Sequence, residues 1–182
     1  MKKMKRLVAI LLASVMALVM LTACGEEAAS RSDEQKVEEV CQTVFNALLG
    51  TDYKNDATLE AAAKKYLNES LTSDGVLASG KSMSYISEAD ADGNVISIQI
   101  MPDNNTGKPM GMSPAQVKEL TEKPDAVNAK IAELKSIDGY EAYATIMKAV
   151  VKGMGTGAVK KGDKVYVAVA YKVPKAFYNK HN

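Results

Sequence analysis

Apolar residues recur at intervals of three and four from Val37 onward: Val37, Val40, Cys41, Val44, Phe45, Leu48 and Leu49. That spacing is the stripe of an α-helix. Acids follow Asp33 in the first turn and Gly50 stands just past the last apolar position, so a helix is predicted from about Ser32 or Asp33 to Leu49. A loop over 51–58 leads to a second stripe, Leu59, Ala62, Ala63, Tyr66 and Leu67, which predicts a helix to about Leu71. Two short amphipathic helices in succession suggest a pair laid on another element.

The pattern then turns strand-like. Ser82 to Ala89 and Asn94 to Met101 flank Asp90-Ala91-Asp92-Gly93, and Asp-Gly between strand-prone runs predicts a hairpin. A loop of Asn, Gly, Pro and Met residues runs from Pro102 to Ser113. Ser113-Pro114 opens a third helix, restarted or kinked at Pro124, with Val127, Ile131 and Leu134 on its apolar side. Val165 to Val173 reads as a strand. Tyr143 to Val151 fits two periods: Tyr140, Tyr143, Ala144, Met147, Val151 and Met154 form a helical face, yet Thr145, Ile146, Val150 and Val151 are β-branched. With glycines at 153, 155 and 157 suggesting a bulged strand, the expectation is a long hairpin turning at Lys161-Gly162-Asp163. The order helix, helix, hairpin, helix, hairpin predicts an α+β fold with helices on an antiparallel sheet.

The N-terminal pattern differs in kind. Lys2, Lys3, Lys5 and Arg6 precede Leu7–Leu21, a run interrupted only by the polar Ser14. A basic segment, an apolar segment of about 15 residues and small residues after it describe a secretory signal, shorter than the roughly 20 residues of a membrane span. Leu21-Thr22-Ala23-Cys24 resembles the bacterial lipobox at all four positions. The resemblance implies that residues 1–23 are a lipoprotein signal peptide and that Cys24 carries a diacylglycerol thioether. It would place the protein on the extracytoplasmic face of a cell membrane, held in the bilayer by acylated Cys24. Two acyl chains hold stably where one holds marginally. The plain alternative is a secreted protein cut near Ala23. Residues 24–32, small and acidic, read as a flexible tether, and residues 33–182 as a single domain.

The segments Val44-Phe45-Asn46-Ala47-Leu48, Asp52-Tyr53 and Ala62 through Leu67 resemble the opening of small lipoprotein domains with a cystatin-like or NTF2-like fold. That resemblance implies a curved sheet wrapped on helices, often with a cleft. It implies no catalytic residue, because such folds host many functions.

Charge and composition narrow the chemistry. Removing 23 of 182 residues leaves 159, enough for one core, with 19 basic and 22 acidic side chains and hence a net charge of −3. No bulk attraction to nucleic acid follows. With Cys24 acylated, Cys41 is the last thiol, and its apolar stripe marks it as a packed core residue, not a reactive one.

Several motifs point to chemistry that their context opposes. Gly75-Val-Leu-Ala-Ser-Gly80-Lys81-Ser82 matches a phosphate-binding loop in letters, but no strand precedes it and no helix follows. Asp90-Ala-Asp92-Gly-Asn94 hints at a calcium loop, but Val95 and Met101 occupy the positions that need glycine and glutamate. The one histidine, His181, lies beside the end of the sequence, a poor place for a catalytic base. No catalytic residue, metal site or cofactor is expected. Paired carboxylates stay open, with Asp52 and Asp56 in one loop. Met101, Met110 and Met112 read as packing residues, with an adaptable patch for a partner as the alternative.

From Ala142 to Asn182 there are eight lysines and one acid, Asp163. Lys148, Lys152, Lys160, Lys161 and Lys164 are the candidate contacts for anionic headgroups or an anionic envelope polymer; the alternative is a solvated strand face. Together these readings point to a non-enzymatic module of the cell envelope that binds a small ligand, a polymer or a protein partner. A carboxylate-based, glycan-directed hydrolase and a structural spacer are the alternatives.

Overall fold

A computed structural model describes residues 31–103 and 106–179. The expected signal, Cys24 and nearly all of the tether lie outside the described residues, as does His181. Helix α1 (Asp33–Leu49) opens on a capping box: the Ser32 backbone N–H donates to Gln35 Oε1 (3.0 Å) and the Gln35 N–H donates to Ser32 Oγ (3.3 Å). Its stop, Gly50, sits at φ 63°, a left-handed turn that glycine adopts without steric cost. Helix α2 (Ala57–Ser70) is capped by Asp56. Strands β1 (Ser84–Ile86), β2 (Asn94–Ile100) and β3 (Gly111–Met112) follow. Then come α3 (Pro114–Glu122), α4 (Pro124–Lys135), α5 (Tyr140–Val150), β4 (Gly153–Lys161), β5 (Lys164–Pro174) and the short α6 (Lys175–Asn179).

The fold is α+β, with a five-stranded antiparallel sheet built around β5. Along one side of β5 run β2, from Asn94↔Pro174 to Ile100↔Ala168, and then β3, at Met112↔Val165. Strand β4 lines the other side from Gly153↔Lys172 to Lys161↔Lys164, and β1 borders β2. The β4–β5 hairpin turns at Gly162-Asp163, as expected.

Helices cover both faces. Val165, Val167, Val169, Tyr171 and Val173 of β5 pack with α1, α3, α4 and α5. The alternate residues Tyr166, Ala168 and Ala170 join Ile98, Ile100 and Val159 under Leu59, Ala63 and Leu67 of α2. Double coverage explains why Val165 to Tyr171 is buried without a break, unlike an alternating half-solvated strand. It also corrects the expectation of a helical pair: α1 and α2 lie on opposite faces of the sheet.

The glycines of β4 make the second layer possible. A Cβ on Gly155 would lie 2.6 Å from the Glu60 backbone nitrogen, and one on Gly157 would lie 2.7 Å from the Glu60 carbonyl oxygen. Only hydrogen at these positions lets the α2 backbone come so close. They mark helix contact rather than the bulge the sequence suggested.

Two further expectations are corrected. Residues 143–150 belong to helix α5, not to a strand, and Val151 follows as its cap: the three-and-four spacing buries Tyr140 and Met147, and that contact outweighs the β-branched Thr145, Ile146 and Val150, which are exposed or half-buried. The strand expected over 82–89 shrinks to Ser84–Ile86, because Ser87 Oγ takes the Ile96 N–H (2.9 Å) in place of a ladder carbonyl. Pro124 separates α3 from α4.

Candidate functional site

One open cleft of about 350 Å³ lies at the end of the sheet where β4 begins. Four regions far apart in sequence line it: the start of α2 (Asp56, Thr58, Leu59), the β1–β2 connection (Ser87, Glu88, Ala89, Asp90), the α5–β4 joint (Lys152, Gly153), and Asn94, Ile96 and Lys172 of the sheet. The Asp56 N–H donates to the Met154 carbonyl (3.1 Å), and Asp56 Oδ1 accepts from the N–H groups of Thr58 (2.9 Å) and Leu59 (3.0 Å). One aspartate thus joins the helix start to the sheet edge.

On the opposite wall, Asp90 Oδ1 accepts from the N–H groups of Asp92 (3.0 Å) and Asn94 (2.8 Å), while Oδ2 meets Lys172 Nζ at 2.8 Å. The Lys172 ammonium and these N–H groups hold the exposed Asp90 carboxyl below its ordinary value, and Asp90 raises Lys172 in return. This carboxylate staples the hairpin, which accounts for the Asp-Ala-Asp-Gly-Asn pattern without calcium. Ser87 Oγ is equally engaged, donating to the Glu88 carbonyl (2.8 Å) and accepting from Ile96.

The cleft therefore presents three carboxylates, Asp56, Glu88 and Asp90, and two ammonium groups, Lys152 and Lys172, over a small apolar floor of Leu59, Ala89 and Ile96. Lys152 has no ion-pair partner among the described residues. Such a lining suits a small polar ligand carrying hydroxyls or both signs of charge.

The five candidate lysines do not form one patch. Lys152 lines the cleft, and Lys148 Nζ lies 4.0 Å from the Cβ position of Gly50, over the C-terminal end of α1, where a cation complements the helix dipole. Lys160, Lys161 and Lys164 sit at the hairpin tip, the whole nine-residue length of β4 away.

The remaining motifs resolve as structure. Cys41 is fully buried, and burial pushes its thiol up to about 12. Met101 and Met112 are core residues. In the Gly75–Ser82 segment, Gly75 and Gly80 occupy turns at φ 74° and 75°, and a strand follows instead of the helix a phosphate loop requires. A side chain on Gly75 would collide with the Tyr166 ring. Among the described residues, no group of three or more His, Cys, Asp or Glu side chains is arranged to hold a metal ion.

Sequence reasoning missed a polar network on the outer edge of β4. Buried Glu38 accepts the Ala158 N–H at Oε1 (2.7 Å) and an ion pair from Lys64 (2.9 Å), and Lys64 also meets Glu60 (2.6 Å). Burial pushes the Glu38 carboxyl above its ordinary value despite these partners. Desolvation pulls Lys64 down, but its bonds to Glu60 and Glu38 outweigh that and leave it raised. The signal was available: Glu38 and Gln42 interrupt the buried side of an apolar helix.

Compared with known proteins, the chain matches no family model, no curated protein and no solved structure.

Proposed function

We propose that this chain is a lipid-anchored extracytoplasmic lipoprotein whose folded domain is a non-enzymatic binding module of the cell envelope. It takes a small polar ligand in the cleft between the start of α2 and the β1–β2 connection. Support for the anchor comes from the basic segment, the apolar run and the Leu21-Thr22-Ala23-Cys24 tetrapeptide. The observation that carries binding over catalysis is the commitment of Asp56, Asp90 and Ser87 to the fold, which leaves Glu88 and Lys152 to meet a ligand. Asp56 caps a helix, Asp90 holds a turn and Lys172, and Ser87 makes two hydrogen bonds of its own.

Two measurements test the proposal. Cys24→Ala moves the protein from the membrane fraction to the soluble one; retention in the membrane would overturn the anchor. Thermal-shift screening of the Cys24→Ala protein with sugars, amino acids and short peptides finds a stabilising ligand whose effect is lost in Lys152→Glu. Ligand effects untouched by that change would place binding outside the cleft.

A further inference from the structure

We propose that the β4–β5 hairpin tip, with Lys160, Lys161 and Lys164, rests on anionic lipid headgroups of the bilayer that holds Cys24, and that the cleft points away from that surface. The orientation rests on the anchor reading above and on the direction of α1. Near its start, the Glu38 side chain and carbonyl bind Ala158 and Thr156. At its far end, the Leu48 carbonyl accepts from the Tyr140 hydroxyl at the opening of α5, and Tyr53, just past the helix, donates to the Val151 carbonyl (2.9 Å) just before β4. Helix α1 is therefore antiparallel to β4.

From Glu38 back to Asp33 is about 7.5 Å of helix axis, and from Ala158 to Lys161 is about 10 Å of strand. Both lead toward the same end of the molecule. The tether leaves the fold beside the lysine tip. Seven residues separate Arg31 from the signal, and as the tether read from the sequence they would span about 14 Å root-mean-square, whereas β4 alone is about 30 Å long. The tip thus stays close to the bilayer and the cleft stands a strand's length farther out.

The tip carries both signs of charge, and its lysines are among the described groups left without an ion pair. Lys160 and Lys164 are exposed and Lys161 is half-buried, and none has an ion-pair partner among the described residues. Lys161 and Lys164 face each other across the turn, on the α2 side of the sheet, and Lys160 projects to the other side. Acids at this end include Asp163 in the turn, Asp74 beside it, Glu69 in the last turn of α2, and Asp33 and Glu34 at the start of α1. Asp33 lies 3.7 Å from Lys36, and both α1 acids sit at the positive end of the helix dipole. Asp163 and Asp74 both act on the Tyr166 hydroxyl, which lies on the α2 side. Three unpaired lysines within a Debye length of an anionic surface add a second attachment to the acyl chains.

The full lipidated chain tests this in phosphatidylglycerol vesicles carrying a headgroup quencher. A fluorophore goes on Ser73→Cys, beside Gly162, or on Ala91→Cys, in the β1–β2 turn at the cleft end. Acylated Cys24 and buried Cys41 do not compete for label. Quenching at position 73 and not at 91 is expected; equal or reversed quenching overturns the orientation. Reversal of all three lysines to Glu should abolish quenching at 73 while the acyl chains keep the protein on the vesicles. It should also weaken vesicle binding of the unlipidated Cys24→Ala chain by about 10-fold or more. Salt of roughly 0.5 M should mimic the reversal without any substitution, and quenching unchanged by both treatments overturns the lysine role. Tighter binding of the Cys24→Ala chain to soluble polyphosphate than to the vesicles would assign the tip to an envelope polymer instead and overturn the lipid assignment. The mass of the native N-terminal peptide separates the two readings. No lipid on Cys24 removes the anchor itself; lipid present with no quenching at 73 removes only the orientation.

Discussion

The two borders of the sheet are closed by opposite means. Strand β4 is nine residues long, and four of its outward backbone groups find protein partners. The Met154 carbonyl accepts from the Asp56 N–H (3.1 Å), Thr156 donates to Asn55 Oδ1 (2.7 Å) and accepts from Asn55 Nδ2 (3.1 Å), and Ala158 donates to Glu38. Asn55 acts there as the amide of a strand the sheet lacks. Strand β1 is three residues long and exposed. Its first N–H goes to Ser82 Oγ (3.3 Å), and the Ser84 carbonyl accepts from the Tyr66 hydroxyl (3.1 Å). An unguarded edge invites pairing with another chain. The long edge is shielded by specific side chains; the short one is mostly too short to matter. This difference explains the buried Glu38: closing β4 required an acceptor inside the protein, and the charge came with it.

The largest effect should come from removing the space that brings α2 over β4. Gly155→Ala and Gly157→Ala each push a methyl into helix backbone at under 3 Å, and each should cost about 3 kcal/mol, the upper end for overpacked cores. Gly153 is the internal control. Its Cβ would meet only Leu59 Cδ1 at 3.5 Å, so Gly153→Ala should gain about 0.5 kcal/mol from the stiffer unfolded chain. Denaturant melts of the three variants check this; equal costs at 153, 155 and 157 would show that helix contact is not what the glycines serve.

Next come the edge partners. Glu38→Ala strands the Ala158 N–H and should cost about 2–3 kcal/mol; Asn55→Ala strands Thr156 and should cost about 2 kcal/mol, both by the penalty for buried unpaired groups. Amide exchange should accelerate at Thr156 in the second variant while β1 keeps its own rate. Glu38→Gln keeps a carbonyl for Ala158 and should cost less than Glu38→Ala.

The same pair gives a pH test. The folded protein raises the Glu38 carboxyl above 4.5, so between 4.5 and the folded value the native state holds more protons than the unfolded one. Wild-type stability should therefore fall, relative to Glu38→Gln, as pH rises through that window. A rise instead would mean that Lys64 outweighs burial.

Some of this was legible in the sequence and some was not, for physical reasons. The α1 stripe, the Ser32 and Ser113 caps and the Gly162 turn are local, and the chain folds there as its spacing predicts. Helix α5 was misread because one set of residues satisfies both periods, and only the packing of Tyr140 and Met147 decides between them. The two-sided sheet was illegible because it depends on glycines whose partner, α2, lies about ninety residues upstream. The cleft fared worst. Asp56, Asp90, Lys152 and Lys172 come from four segments, and no spacing rule joins them. Glu38 and Ala158, 120 residues apart, are the same problem on the edge.

The smallest effect belongs to β1. Tyr66→Phe removes the hydroxyl that donates to the Ser82 (2.8 Å) and Ser84 carbonyls but keeps the ring stacked on Tyr85, with centroids 5.4 Å apart. The bonds are solvent-exposed, so water replaces them, and the loss should be at the low end for a hydrogen bond, about 0.5 kcal/mol. Amide exchange should quicken over residues 84–86 and stay unchanged in β4. Self-association should not appear at micromolar concentration, because three residues give a second copy too little edge to pair with. Dimers of the Tyr66→Phe protein by sedimentation would mean that the hydroxyl, not the brevity of the strand, keeps this border closed, and both edges would then depend on specific side chains.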